Sequence, residues 1–241
     1  MMLVSSRLRL ARPRLSSFRR SLCPLCFSVP SVFLFCFLLL LSHSSAFPSA
    51  GPTLIYRKVF KSSSPEFVEI KVSQNGAASV DIRQIEDEPG PQSFEVGRPL
   101  VEKLFTLADQ LNRFRGAQLD IRRRIANLGQ KTFRFEDGSQ ASETTFNYTT
   151  NQAANELAML FEGLAKQQTH LQTLRHRMKY DRLGVNDALR YFETDFARGA
   201  VAEPERLVPV LEAISLDSRL VDIARQRARA LIERIKARRR E

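Results

Sequence analysis

The stretch EFVEIKVSQNGAASVDIRQI, residues 66–85, decides the fold. Val68, Ile70 and Val72 alternate with Glu69 and Lys71, and Ala78, Val80 and Ile82 alternate with Ser79, Asp81 and Arg83. Alternation at period two places the apolar set on one face of a strand and the charged set on the other. Between the two runs stands Asn75-Gly76, the dipeptide that supplies two positive-φ residues for a type I′ turn. The stretch reads as a β-hairpin with one buried face, and such a face has to be covered.

Upstream, TLIYRKVF (residues 53–60) is rich in β-formers and reads as a further strand. Downstream, Pro89, Gly90 and Pro91 break the chain, and Pro99 sits where a first helical turn would start. Leu100, Leu104, Leu107 and Leu111 follow on one helix face, with Val101, Phe105 and Ala108 beside them. A helix running to about Asn112 is therefore predicted to cover the hairpin. KTFRFEDGSQASETTFNYT (residues 131–149) reads as a second hairpin. Phe133 and Phe135 share one side of its first strand, Asp137-Gly138 breaks it, and Thr144, Phe146 and Tyr148 share one side of its second. It is expected to extend the first sheet, with Gly129 marking a bend before it.

From Thr150 onward the periodicity is helical. Thr150 or Asn151 caps a long helix carrying Leu157, Leu160, Phe161, Leu164, Leu171 and Leu174. Gly184 interrupts, and residues 187–196 form a shorter helix. Pro204 starts another, with Leu207, Val210, Leu211 and Ile214, and Asp217 or Ser218 caps the last, which carries Leu220, Ile223, Ala224, Leu231 and Ile235. Strands followed by helices is the α+β order. The expectation is a single α+β domain over residues 53–241, strand-rich over 53–149 and helical over 150–241. In it, an antiparallel sheet of two hairpins packs against several helices.

The N-terminus has a different composition. Arg7, Arg9, Arg12, Arg14, Arg19 and Arg20 precede an apolar run, Val32 to Leu41, which is followed by the small residues Ser44-Ser45-Ala46. This is the order of a secretory signal peptide. A membrane span needs about 20 apolar residues, and Pro24 and Pro30 interrupt the stretch from Leu22 to Leu41. The favoured reading removes residues 1–46 by cleavage between Ala46 and Phe47. The alternative keeps them as a signal anchor in the inner membrane with the domain outside. Both place the remainder in the periplasm or the medium, because the arginines stay on the cytoplasmic side.

This segment also holds Cys23, Cys26 and Cys36, so residues 47–241 contain neither a thiol nucleophile nor a disulfide. Six of the 37 basic residues and none of the 26 acidic ones lie in it. The remainder has 31 basic against 26 acidic residues, an excess of only five, and net charge gives no support to a nucleic-acid partner.

Searched by chemistry, the chain offers no compact catalytic motif. It has no G-x-S-x-G elbow and no glycine-rich phosphate loop. His170 and His176 lie about 240° apart around a helix and read as two surface histidines, not metal ligands. Glu66, Glu69, Asp81, Glu86, Asp87 and Glu88 lie on or near the first hairpin and read as a solvated face and loop. In KYDRLGV (residues 179–185), Tyr180 is expected to pack, Asp181 to cap or pair with an arginine, and Gly184 to turn the chain. Asn147-Tyr148-Thr149 is a glycosylation sequon that matters only in a host that glycosylates. On the last helix, Arg227 and Arg234 fall inside or beside the apolar stripe. The favoured reading lays their stems along the core edge with heads in water; pairing with acids of a neighbouring helix and a partner surface are the alternatives.

The pattern GQKTFRFEDG…ETTFNYT, followed by a leucine-rich helix and MKYDRLGV, resembles a group of uncharacterised exported bacterial proteins. The resemblance implies a periplasmic or secreted protein and carries no catalytic residues. The functional expectation is a non-catalytic, exported binding or structural module of the cell envelope, with an unknown protein or envelope partner and no cofactor. A hydrolase of envelope polymers with a dispersed carboxylate site is the alternative. Lys236, Arg238, Arg239 and Arg240 in the C-terminal ERIKARRRE offer a weak contact with anionic membrane.

Protein recovered from an exporting host is expected to begin at Phe47. N-terminal sequencing should read Phe-Pro-Ser-Ala, whereas intact Met1 in the membrane fraction would establish the anchor.

Overall fold

Alternating apolar residues set the inner face of most of the long strands. In the computed structural model, which describes residues 51–239 apart from Ser62, Arg122 and Arg124, six strands form one antiparallel sheet. The expected cleavage site at Ala46 and Phe47, and Arg240 of the basic tail, lie outside the described residues. The strands are β1 (Thr53–Val59), β2 (Phe67–Ser73), β3 (Ala77–Arg83), β4 (Gln92–Glu95), β5 (Gln130–Asp137) and β6 (Gln140–Phe146). Their order is β4-β3-β2-β1-β5-β6. The two predicted hairpins are β2–β3 and β5–β6, and β1 joins them: Tyr56 is opposite Ile70 on one side and Phe133 on the other.

Among the described residues five helices complete the α+β fold: α1 (Arg98–Gln110), α2 (Gln152–Tyr180), α3 (Val185–Ala197), α4 (Val208–Leu216) and α5 (Asp222–Arg238). α2 begins as expected, with the Asn151 side chain accepting the Ala154 N–H. At 29 residues it is about 44 Å long, and it serves two hydrophobic clusters in turn. Ala154, Leu157, Phe161 and Leu164 pack on the sheet with α1, while Leu174 packs among α3, α4 and α5. No helix among the described residues is long and apolar enough to cross a membrane.

The sheet cluster is built around Phe133. Its ring lies 5.2–5.6 Å from those of Tyr56, Phe114 and Phe146. Tyr56 also stacks on Phe161 of α2 at 5.3 Å. The Tyr56 hydroxyl, fully buried, donates to Glu162 on α2 at 3.1 Å, and Lys58 donates to the same oxygen at 2.8 Å. Burial, then the Glu162 charge, pushes the Tyr56 phenol well above its ordinary pKa. Lys131, beside Lys58 across the strands, is pushed down by burial and by that neighbour.

Several local expectations change. The loop after β2 has three residues, not two: Gly76 has φ 91° and donates to Ser73 at 2.9 Å, but Asn75 has no positive φ. A three-residue connection ending on left-handed glycine replaces the type I′ turn. The sequence reading missed β4, because four residues after Pro-Gly-Pro are too few to establish a period. α1 stops at Gln110, and Asn112, Arg113 and Phe114 all take positive φ. This costs roughly 1–2 kcal/mol per residue, offset by burying Phe114 against Phe133.

β6 ends at Phe146 and Tyr148 is exposed, because Asn147 turns aside to bond the Ala126 carbonyl and the Leu128 N–H. That commits the amide of the predicted sequon to the loop. Pro204 opens a 3-10 turn, Pro204–Leu207, before α4. Asp217 does not cap α5, which starts at Asp222; it binds the Arg219 backbone and guanidinium instead. Ile223 is exposed, whereas Leu220, Ala224, Leu231 and Ile235 are buried.

Gly76 is fixed by two constraints, its positive φ and the Val96 carbonyl oxygen 3.0 Å from where a Cβ would stand. Gly76→Val should cost about 1–2 kcal/mol in denaturant melts. An unchanged midpoint would show that the loop tolerates a side chain.

Candidate functional site

The sheet has two borders, and they are treated differently. At the β6 border, Ser142 and Thr144 donate to the carbonyls of Arg113 and Ala117, and Asp120 accepts the N–H groups of Asn147 and Tyr148. The segment from Arg113 to Ile121 is thereby tied onto that border. At the other border, among the described residues, β4 pairs only with β3. The Val96 N–H bond to the Gly76 carbonyl, 2.9 Å, marks a hydrogen-bonded position of this ladder. By antiparallel alternation, Phe94 and Gln92 then turn their main-chain groups toward β3. Ser93 and Glu95 turn theirs outward.

Beside this border lies a groove of about 300 Å³ between β4 and α2. Gln168, Leu171, Gln172 and Arg175 recur at helical spacing along its α2 wall, and Gln92 and Phe94 supply the strand wall. Gln172 donates to Gln92 at 2.7 Å, bridging the two walls. Arg175 and Arg206 bring guanidinium groups and Glu95 a carboxylate. Amides that donate and accept, together with guanidinium groups, suit a ligand with its own peptide-like groups.

Behind the groove sits a buried polar node. Glu203 accepts the Gly97 N–H at 2.8 Å, at the N-terminus of α1, and its own N–H donates to Gln167 at 3.0 Å. A Cβ on Gly97 would collide with Glu203 Oε1, so glycine admits the carboxylate. Glu203 Oε2 is buried without a hydrogen bond, and Arg206 stands 3.7 Å away. Burial pushes the Glu203 pKa up, against the opposing pull of the Gly97 bond and Arg206. Nothing local in the sequence pointed to this node, since its partners are 106 and 36 residues apart.

The residues singled out from sequence do not converge on one site. Glu69 pairs with Arg57 and Lys71. Asp81 is buried, pairs with Arg83 and accepts the Gly90 N–H, while Glu66 accepts the Ile85 N–H and Asp87 that of Gln84. Arg83 in turn holds three carbonyls of the 84–87 loop.

His176 is exposed, but His170 is not the surface residue expected. It is largely buried against Phe192 and 2.9 Å from Asp195, which Lys166 also binds. Burial opposes the Asp195 charge, yet the Lys166 and His170 hydrogen bonds hold its pKa below the usual carboxylate value. Tyr180 is exposed and stays out of the core, touching only His176 and Lys179 among ring and cation contacts of the described residues, whereas Asp181 caps the Gly184 N–H and lies 3.9 Å from Arg177.

Arg227 and Arg234 both bind Glu193 of α3 at 2.6 Å, so these heads are paired and not simply in water. In the basic tail, Lys236 lies 3.7 Å from Glu233, and Arg238 sits over the Phe196 ring and donates to its carbonyl. Arg239 follows at the end of α5. Among the described residues no group of three or more His, Cys, Asp or Glu side chains could hold a metal ion.

Glu203 carries a pH signature. Its folded pKa lies above the ordinary 4.5, so the folded state holds this proton more tightly than the unfolded one. Its contribution to stability is full below that value and declines as pH rises through the folded pKa. Asp195 and Asp217 are held low, so they titrate below this window. Glu203→Gln should therefore flatten the fall in stability that sets in as pH rises above 4.5. An unchanged slope in denaturant melts would place the Glu203 pKa at its ordinary value.

No family model and no curated protein matches the chain, and the chemistry of the groove and its open strand directs the functional reading.

Proposed function

We propose that the protein is an exported, non-catalytic binding module of the cell envelope that takes an extended polypeptide segment along β4. The export half of this reading rests on the arginine-rich, apolar and small-residue order of residues 1–46. The binding half rests on one observation, the outward main-chain groups of Ser93 and Glu95 on a strand that, among the described residues, is bonded only to β3.

An extended segment laid there would gain main-chain hydrogen bonds, and its alternate side chains would reach the groove. The guanidinium groups of Arg175 and Arg206 beside the amides of Gln92, Gln168 and Gln172 favour a segment with a carboxylate or carboxamide side chain. The β4 strand is only four residues long. Short edges of this kind limit pairing between copies of the same chain, which leaves affinity to the groove.

The test uses peptides selected against the exported chain from a display library. Bound peptide should slow amide exchange at Ser93 and Glu95. Ser93→Pro removes one outward N–H without touching the ladder to β3, a position where edge strands tolerate proline. It should weaken peptide binding about tenfold, the worth of one or two main-chain bonds, with the melting temperature little changed. Undiminished binding by Ser93→Pro, or protection confined to another surface, would overturn the strand-addition reading.

A further inference from the structure

At the end of the molecule formed by the C-termini of α2 and α4, basic and apolar side chains stand together. Arg175, Lys179, Arg182 and Arg219 line a shallow cavity of about 490 Å³ floored by Met178. Arg219 is committed to Asp217 through two hydrogen bonds of 2.8 Å. Arg182 lies near that same, already bonded carboxylate. Among the described residues no carboxylate hydrogen-bonds Arg175, Lys179 or Arg182, so the cavity keeps an uncompensated positive charge.

Its rim is apolar. Leu183, next to Arg182, and Leu216, next to Asp217, are each 80% exposed. Five of the eleven exposed large apolar residues come from segments 180–183 and 216–223, which concentrates at this end what elsewhere is scattered singly. Both rim leucines occupy the ends or connections of helices, where neither closes a core.

We propose that this end is a docking surface for an anionic lipid bilayer, with the three cations held among the headgroups and Leu183 and Leu216 inserted beneath them. Exposed leucine beside uncompensated arginine and lysine is the pairing that an anionic interface rewards twice, once through apolar burial and once through charge. A soluble polyanion would use the charge and leave the leucines in water. The surface meets the β4 groove at Arg175, which lines both cavities, while Lys179 and Arg182 line this one alone. It is separate from the C-terminal basic residues, of which Arg238 is turned back onto Phe196.

The experiment is co-sedimentation of the exported chain with phosphatidylcholine vesicles and with phosphatidylcholine–phosphatidylglycerol vesicles, at low and moderate salt. Binding should require phosphatidylglycerol and weaken as salt rises. Lys179→Glu with Arg182→Glu should lower the partition coefficient at least about tenfold, since each basic residue near such a surface is worth roughly a factor of five. Leu183→Ser with Leu216→Ser should lower it severalfold while leaving the salt dependence in place. All four positions are on the surface, and circular dichroism should report unchanged folds.

Equal pelleting of wild type and the Lys179/Arg182 variant would overturn the proposal. So would loss of binding only on Lys236→Ala with Arg239→Ala, which would assign the contact to the tail. Tight binding of a DNA duplex without vesicle binding would assign the charge to a soluble polyanion and overturn it equally.

Discussion

The contact between Tyr56 and α2 holds the two halves of the fold in one arrangement. Tyr56 lies on the central strand β1, stacks on Phe161 and gives its hydroxyl proton to Glu162. A buried phenol without an acceptor would cost on the order of 1–3 kcal/mol, so α2 has to present Glu162 at that spot. Lys58, two residues along the strand, binds the same oxygen at 2.8 Å. The apolar contact sets the distance between sheet and helix, and the polar contact sets the register of α2 along the strand. Phe114, Phe133 and Phe146 fill the remaining space under this clamp, which is why the chain accepts three left-handed residues to bring Phe114 in.

Once α2 is placed, its length distributes the rest. Its first half closes the sheet cluster and its second half carries Leu174 into the helical cluster, so α3, α4 and α5 inherit their position from it. The polar node at Glu203 joins the same two parts from the side, linking α2 through Gln167 to the start of α1 through Gly97. A second ionic tie, Glu193 with Arg227 and Arg234, fixes α5 against α3. These interior ties use up charges that would otherwise face solvent.

Sheet borders follow the same economy. β6 is screened by the segment that the left-handed turn redirects, through Ser142, Thr144 and Asp120. β4 receives no such cover among the described residues, because the chain leaves it at once for α1, and Gly97 spends its N–H on Glu203. The groove beside β4 is therefore a by-product of how the α1 entry is anchored. Its polar lining reflects α2 turning Gln172 and Arg175 toward a strand too short to bury them.

The sequence by itself determined the elements whose periods run long enough to read. The β2–β3 and β5–β6 hairpins, α1, α2 with a cap at Thr150 or Asn151, α3 and the α+β class all follow from alternation, helical spacing and capping chemistry. Tertiary structure alone decided the rest. It inserted β1 between the hairpins, made a strand of four residues after Pro-Gly-Pro, turned the chain left-handed at Asn112 and brought Glu203 to Gly97. It also paired Gln92 with Gln172 across 80 residues and gathered Arg175, Arg182 and Arg219 from two loops and a helix end. The reason is physical. Periodicity and capping are local, fixed by the geometry of one segment, whereas a polar side chain finds its partner only after burial has fixed which segments are neighbours.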